Sequence, residues 1–138
     1  MSDAKIERLK GMPLLKRCSD EQVAHLAELA DEAQIESGRT ITEQGHVGHH
    51  AYVIVSGTAD VQVNGNSVAT LDAGDIIGQI SLFDQGPHTA TVTSSSDMDL
   101  LVVDHQQFGD ALANVPGLAV NMLKELAHTV RTLDSGLG

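Results

Sequence analysis

The chain has 138 residues, enough for one domain with a single hydrophobic core. Its hydrophobic share of 41% is typical of a globular protein and argues against intrinsic disorder. The formal net charge is −11, with only eight Lys and Arg. This charge argues against direct nucleic-acid binding, because DNA-binding proteins gain much of their affinity by neutralising phosphates.

The cysteine content and the absence of long apolar runs indicate the cellular compartment of the protein. Cys18 is the only cysteine, so no intramolecular disulfide can form. No apolar run approaches transmembrane length, and Met1–Lys10 lacks the apolar core of a signal peptide. We therefore expect a cytoplasmic protein with no membrane partner. Without a basic cluster beside it, Cys18 is expected to be an inert small side chain rather than a redox sensor.

The first part of the chain is predicted to be a helical head over about residues 1–33. Ser19 and Gln22 form a capping box at a helix start. Apolar residues then recur at helical spacing, at Val23, Leu26, Leu29 and Ala30. Beyond Gly38 the apolar period changes to two, which is typical of strands.

Short β segments separated by turn residues are predicted next. They are Tyr52–Val55, Ala59–Val63, Ser67–Leu71, Thr89–Thr93 and Leu100–Val103. The pair Asn64-Gly65 between two of these segments is a strong hairpin signal. Many short strands with glycines at the corners favour a closed double sheet. The fold class is therefore mainly β with flanking helices: an antiparallel, jelly-roll-like β-roll (a double-stranded β-helix) over about residues 34–104.

A C-terminal helical pair is predicted over about residues 105–134, which makes residues 1–138 a single domain. Asp104 and Gln107 form a second capping box. The last helix carries apolar residues at heptad spacing, namely Ala119, Leu123, Leu126, Val130, Leu133 and Leu137. A stripe this short either packs on its own domain or forms a homodimer. A homodimer would use Leu123, Leu126, Val130 and Leu133.

One segment, Gly74–Val92, does not fit an ordinary hairpin. Gly78 allows the backbone to approach another group closely, and Ile80–Leu82 can form one helical turn whose free N–H groups point at an anion. A plain connecting loop could carry the same glycines.

The order of motifs along the chain resembles the cyclic-nucleotide-binding domain family, which includes catabolite-activator-type regulators and kinase regulatory subunits. The resemblance covers about residues 14–133. It depends on five segments: Ser19–Val23, Gly45, Tyr52–Gly57, Gly74–Leu82 and Pro87–Val92. It implies the same β-roll and a regulatory function. The family usually passes ligand binding to an attached output domain, so we expect either a separate partner protein or a longer parent chain.

The resemblance also implies a ligand site. The family's phosphate-binding cassette runs Gly-Glu-Leu-Ala-Leu, followed by Pro-Arg-Ala-Ala or Pro-Arg-Thr-Ala. Its Glu accepts from the ribose 2′-hydroxyl and its Arg pairs with the cyclic phosphate. The matching ligand-binding residues here are Gly78, Gln79, Ile80, Ser81, Leu82, His88 and Thr89.

Both charged contacts of the cassette are replaced in this sequence. Gln79 stands in place of the Glu, and His88 stands in place of the Arg. Loss of the Arg–phosphate contact removes roughly 1.5–3 kcal/mol, and a neutral Gln about 1 kcal/mol more. Cyclic AMP should therefore bind roughly a hundred- to a thousandfold more weakly than in the family pattern.

Two hypotheses for the pocket follow, and a third concerns chemistry. In one, the pocket still takes a cyclic nucleotide or another small anionic ligand; in the other, the domain is a ligand-free protein-interaction scaffold. The histidines His46, His49, His50 and His88 raise a third, a cupin-like metal-dependent enzyme. The carboxylate spacing of cupins is missing, and no catalytic motif is present, so we expect surface-turn histidines, no enzyme and no cofactor.

Overall fold

A computed structural model describes residues 2–12, 15–78 and 86–137 of the chain. Within them two compact units are distinguished, a helical unit of Met1–Glu28 with Asp110–Gly138 and a β-roll unit of Leu29–Gly109. In chain order the elements are α1 (Ser2–Lys10), α2 (Asp20–Leu29), β1 (Asp31–Ile35), β2 (Thr40–Thr42), β3 (His50–Ser56), β4 (Ala59–Val63), β5 (Asn66–Leu71), β6 (Ile76–Ile77), β7 (Thr91–Ser94), β8 (Met98–Asp104), α3 (His105–Asn114) and α4 (Leu118–Leu137).

The β-roll unit consists of two four-stranded antiparallel sheets. One has the order β1-β8-β3-β6 and the other β2-β7-β4-β5. The buried core draws on both sheets and is aliphatic, comprising Ile54, Ala59, Ile77, Val92, Met98 and Leu100. Each of these side chains fills space between the two layers, as expected for a closed double sheet. The predicted antiparallel β-roll with helices before and after it is confirmed.

Local turn chemistry behaves as predicted at the hairpin between β4 and β5. Asn64 and Gly65 both have positive φ, 54° and 83°, and Val63 pairs with Asn66 across the turn. These angles are those of a type I′ turn, which matches the twist of the two strands. The first capping box is also confirmed. The Ser19 N–H donates to Gln22 Oε1 at 3.0 Å, and the Gln22 N–H donates to Ser19 Oγ at 3.2 Å.

Three strands were not predicted, namely β1, β2 and β6. β1 begins at Asp31, inside the stretch assigned to the helical head, because its whole length pairs with β8, from Asp31↔Val102 to Ile35↔Met98. Its sequence is mostly polar and gives no strong period. β7 begins at Thr91, so Thr89 precedes the strand that was predicted to include it. The single-domain assignment of residues 1–138 stays a prediction.

In the helical unit, α4 packs mainly through residues outside the predicted seam. Leu118 and Met122 are fully buried, and Leu126 is half-buried. Leu123 and Val130, from the predicted seam, are 61% and 63% exposed. None of the helices in the described ranges is long and apolar enough to cross a membrane.

Candidate ligand-binding site

The structure places three of the seven predicted site residues. Gly78 follows β6, His88 lies next to an isolated bridge between Val47 and Pro87, and Thr89 is in a bend before β7. The other four, Gln79, Ile80, Ser81 and Leu82, lie outside the described residues.

Gly78 and His88 are brought together although ten positions separate them. Gly78 has a φ of +80°, a conformation that L side chains rarely adopt. A Cβ at Gly78 would lie 3.1 Å from the His50 carbonyl oxygen and 3.4 Å from His88 Cε1. A glycine is therefore required both by the turn and by the close approach of these two groups.

The backbone around His88 is fixed by a short antiparallel pairing. The Gly45 N–H donates to the His88 carbonyl at 2.9 Å, and the His88 N–H donates to the His46 carbonyl at 2.8 Å. Both bonds hold residue 88 against the turn before β3. The position of the His88 side chain is thus set by main-chain contacts on one side.

On the other side, the His88 ring lies directly over Gly48. A Cβ at Gly48 would overlap Cε1 and Nε2 of the ring. Gly48 is buried, and it is not among the glycines with positive φ. It is therefore the missing side chain, not an unusual backbone, that makes room for the imidazole. Sequence reasoning overlooked Gly48, because its contact lies forty positions further along the chain and leaves no local signal.

A cavity of about 400 Å³ opens beside this contact. Four histidines line it, His46, His49, His50 and His88, together with Glu43 and Tyr52 among others. Its volume lies within the usual range of small-molecule sites. We refer to it below as the histidine cavity. The three turn histidines are exposed, as predicted, but they share one concave wall with His88.

Electrostatics in the cavity disfavour a charged His88. Burial lowers the pKa of His88 below its ordinary value of 6.5, and the neighbouring His46 lowers it further. Desolvation penalises the imidazolium, and a second cationic ring opposes it. Burial also raises the pKa of Tyr52, so this phenol keeps its proton and can donate a hydrogen bond.

The metal-site alternative finds no geometric support in the described residues. Among them, no three or more His, Cys, Asp or Glu side chains are grouped so that they could hold a metal ion. Two of the cavity histidines face carboxylates instead. His46 Nδ1 is 3.2 Å from Glu43 Oε2, and His50 Nε2 is 3.6 Å from Asp104 Oδ1.

Comparison with known proteins agrees with the fold. The profile of the cyclic nucleotide-binding domain family matches residues 32–115. The chain belongs to this family. The matched range includes both sheets, the histidine cavity and all seven predicted site residues.

Two of the relatives are regulatory proteins by name. A cAMP-dependent protein kinase regulatory subunit from Mucor circinelloides f. lusitanicus is 31% identical over 99 residues, covering 72% of this chain and 23% of the relative. A CRP-like cAMP-activated global transcriptional regulator from Mycobacterium tuberculosis is 23% identical over 120 residues, covering 83% of this chain and 54% of the relative. The chain thus spans about a quarter of the kinase subunit's length and about half of the transcriptional regulator's.

Solved structures share the architecture. The N-terminal domain of a transcriptional regulator from Streptomyces coelicolor A3(2) superposes with a TM-score of 0.83 at 30% identity, covering 92% of this chain and 94% of that domain. The catabolite activator protein of Thermus thermophilus gives a TM-score of 0.75 at 25% identity, covering 91% of this chain and 61% of the other.

Proposed function

We propose that the chain is a non-catalytic, cytoplasmic sensor or regulatory module that binds a cyclic nucleotide, or a similar small anionic ligand, weakly. The observation that supports this most is the close approach of Gly78 to the His88 ring in a chain of this family. These positions match the cassette glycine and the phosphate-pairing Arg. The expected ligand contacts are the predicted set from Gly78 to Leu82 with His88 and Thr89.

Weak binding follows from the replaced contacts. Histidine offers one donor to a phosphate where guanidinium offers a fork, and the pKa of His88 is lowered, so near neutral pH the ring is mostly uncharged. Gln79 can accept from a hydroxyl only as a neutral group. We expect the unmodified protein to bind cyclic AMP no better than in the high-micromolar range.

The test restores the charged contacts. The double variant Gln79→Glu with His88→Arg should bind cyclic AMP at least about tenfold more tightly in isothermal titration calorimetry. A matched control makes the same two changes at exposed positions, as Gln107→Glu with His25→Arg, and should leave the affinity unchanged.

Two results would contradict the proposal. Submicromolar affinity in the unmodified protein would show that the replaced contacts are not needed. A folded double variant that still fails to bind cyclic AMP would exclude a cyclic nucleotide as the ligand and favour a ligand-free interaction scaffold of the same fold.

A specific observation supports an interaction function beside ligand binding, namely homodimerisation through α4. Val120, Leu123 and Val130 are all more than half exposed, and they recur at spacings of three and seven along the helix. Together they form a second apolar stripe that the helical unit does not cover. We propose that a second copy covers it, since such a stripe is the typical seam of paired helices.

Sedimentation measures this directly. Leu123→Asp should convert a dimer into a folded monomer. Val68→Asp, at a similarly exposed hydrophobic residue of β5, is the matched control and should stay dimeric. An unmodified protein that is monomeric at the highest concentration reached would contradict the dimer.

A further inference from the structure

The histidine cavity concentrates basic side chains in an acidic protein. It is lined by four of the seven histidines of a chain whose formal net charge is −11. Among the described residues that line it, Glu43 is the only carboxylate. Side chains that carry a positive charge when protonated therefore line one space of about 400 Å³.

We propose that this cavity is a proton-linked binding site for a small oxyanion, such as a phosphate or carboxylate group of a metabolite, held jointly by His46 and His88. The proposal goes beyond cyclic-nucleotide binding, because it needs neither a ribose nor a base. It shares His88 with the proposed nucleotide site, so the experiment must separate the two.

The backbone geometry supports the pairing of His46 with His88. Their backbones are joined by the 2.8 Å hydrogen bond from the His88 N–H to the His46 carbonyl, so the two residues face each other across an antiparallel pair. The His88 ring lies against Gly48 and lines the cavity. An anion entering the cavity therefore meets both imidazoles.

Charge explains why an anion is the expected occupant. Two facing imidazolium rings repel each other, and His46 accordingly makes His88 harder to protonate. An oxyanion between them reverses the sign of this interaction and favours the charged rings. Binding of the anion and uptake of protons are then one linked event.

The other charged and titratable groups around the cavity are compatible with this assignment. Glu43 Oε2 contacts His46 Nδ1 at 3.2 Å, which orients that ring and leaves Nε2 to donate to a ligand. At the end of β8, Asp104 Oδ1 faces His50 Nε2 at 3.6 Å, so His50 is engaged with a carboxylate. His49 and Tyr52, both from the stretch at and before β3, line the same wall and add further donors.

The experiment follows the histidine ring resonances by NMR during pH titrations, in inorganic phosphate, in acetate and in chloride at equal ionic strength. Relative to chloride, an oxyanion should raise the pKa of His88 by about one unit and should shift the His46 ring resonances. Phosphate and acetate distinguish the two anionic groups. His25 and His128, in the helical unit, serve as controls within the same spectrum and should not respond.

Variants complete the test. His46→Gln should abolish the response of His88, and His88→Gln should abolish that of His46. His128→Gln is the matched control and should change neither, and unmoved His25 resonances show that each variant is folded. A His88 response that persists in His46→Gln, or no response to either oxyanion, would overturn the proposal. So would a response that a chelator removes, because the anion would then be bound through a metal ion.

The two proposals fail separately. If the protein does not bind cyclic AMP but its His88 and His46 resonances still respond to phosphate, only the nucleotide site is contradicted. An absent phosphate response with measurable cyclic AMP binding would contradict only the oxyanion site.

Discussion

Two glycine contacts in the β-roll unit differ in what the missing side chain would meet. At Gly57, between β3 and β4, a Cβ would overlap the main-chain carbonyl of Asp97 and crowd Met98. At Gly48, beside the histidine cavity, it would overlap only the side chain of His88. The corner at Gly57 is fixed by a close approach of main-chain atoms, whereas the cavity wall at Gly48 is formed by a side chain that can rotate.

This difference distinguishes the frame, meaning the strands and the corner at Gly57, from the site, meaning the histidine cavity. A backbone contact cannot yield without shifting a strand, so a substitution at the corner should lower the free energy of unfolding. A side-chain contact yields by a change of rotamer, so a change at the cavity should alter ligand binding and leave the fold intact.

The largest loss of stability is expected for Gly57→Ala. Its φ of +96° costs an L residue roughly 1–2 kcal/mol, and the overlap with Asp97 adds backbone displacement. We expect the free energy of unfolding in urea to fall by about 3 kcal/mol. Gly74→Ala is the matched control, since Gly74 has a similar φ of +95° and a Cβ there meets nothing within 4 Å. If both variants unfold at the same urea concentration, the backbone contact does not define the corner.

A smaller loss is expected for Ser94→Ala, which tests another fixed point of the frame. The buried Ser94 hydroxyl donates to the Glu36 carbonyl at 2.6 Å and accepts from the Arg39 N–H at 2.9 Å. Removing it leaves both main-chain groups without this partner, which costs roughly 2 kcal/mol. Ser67→Ala, at an exposed hydroxyl of β5, should change the urea midpoint little. Equal midpoints for the two variants would contradict the role of Ser94.

The smallest change in stability is expected for Gly48→Ala. Its backbone is not left-handed, so the cost is limited to moving the His88 ring and should stay below about 1 kcal/mol. The phosphate response of His88 should nevertheless disappear, because the ring no longer lies in the cavity. A loss of stability as large as that of Gly57→Ala would erase the distinction between frame and site.

The sequence predicted features that depend on residues close together in the chain and missed features that depend on residues far apart in the chain. The Asn64-Gly65 turn and the Ser19–Gln22 capping box depend on residues within four positions, and both were predicted. β1 was not, since its strand character comes from pairing with β8, more than sixty positions away.

The same limit applies to the candidate site. The family resemblance identified Gly78 and His88, and the structure places them close together. The contact of Gly48 with His88, and the shared cavity of four histidines, arise from tertiary packing that no local pattern records. Heptad spacing alone left open whether the α4 seam packs on its own domain or pairs with a second copy, and in the structure Leu123 and Val130 of that seam are exposed.

The most direct test of the central claim, that a histidine replaces the fixed positive charge in the ligand site, is the pH dependence of cyclic AMP affinity. Without ligand, burial and His46 lower the pKa of His88; a bound phosphate should raise it, so the complex takes up a proton. Calorimetric titrations below, at and above about pH 6.5 should show the tightest binding in the most acidic buffer, weakening as pH rises through the His88 pKa of the complex. His88→Ala should remove this dependence. Equal, pH-independent affinity in both proteins would contradict the claim.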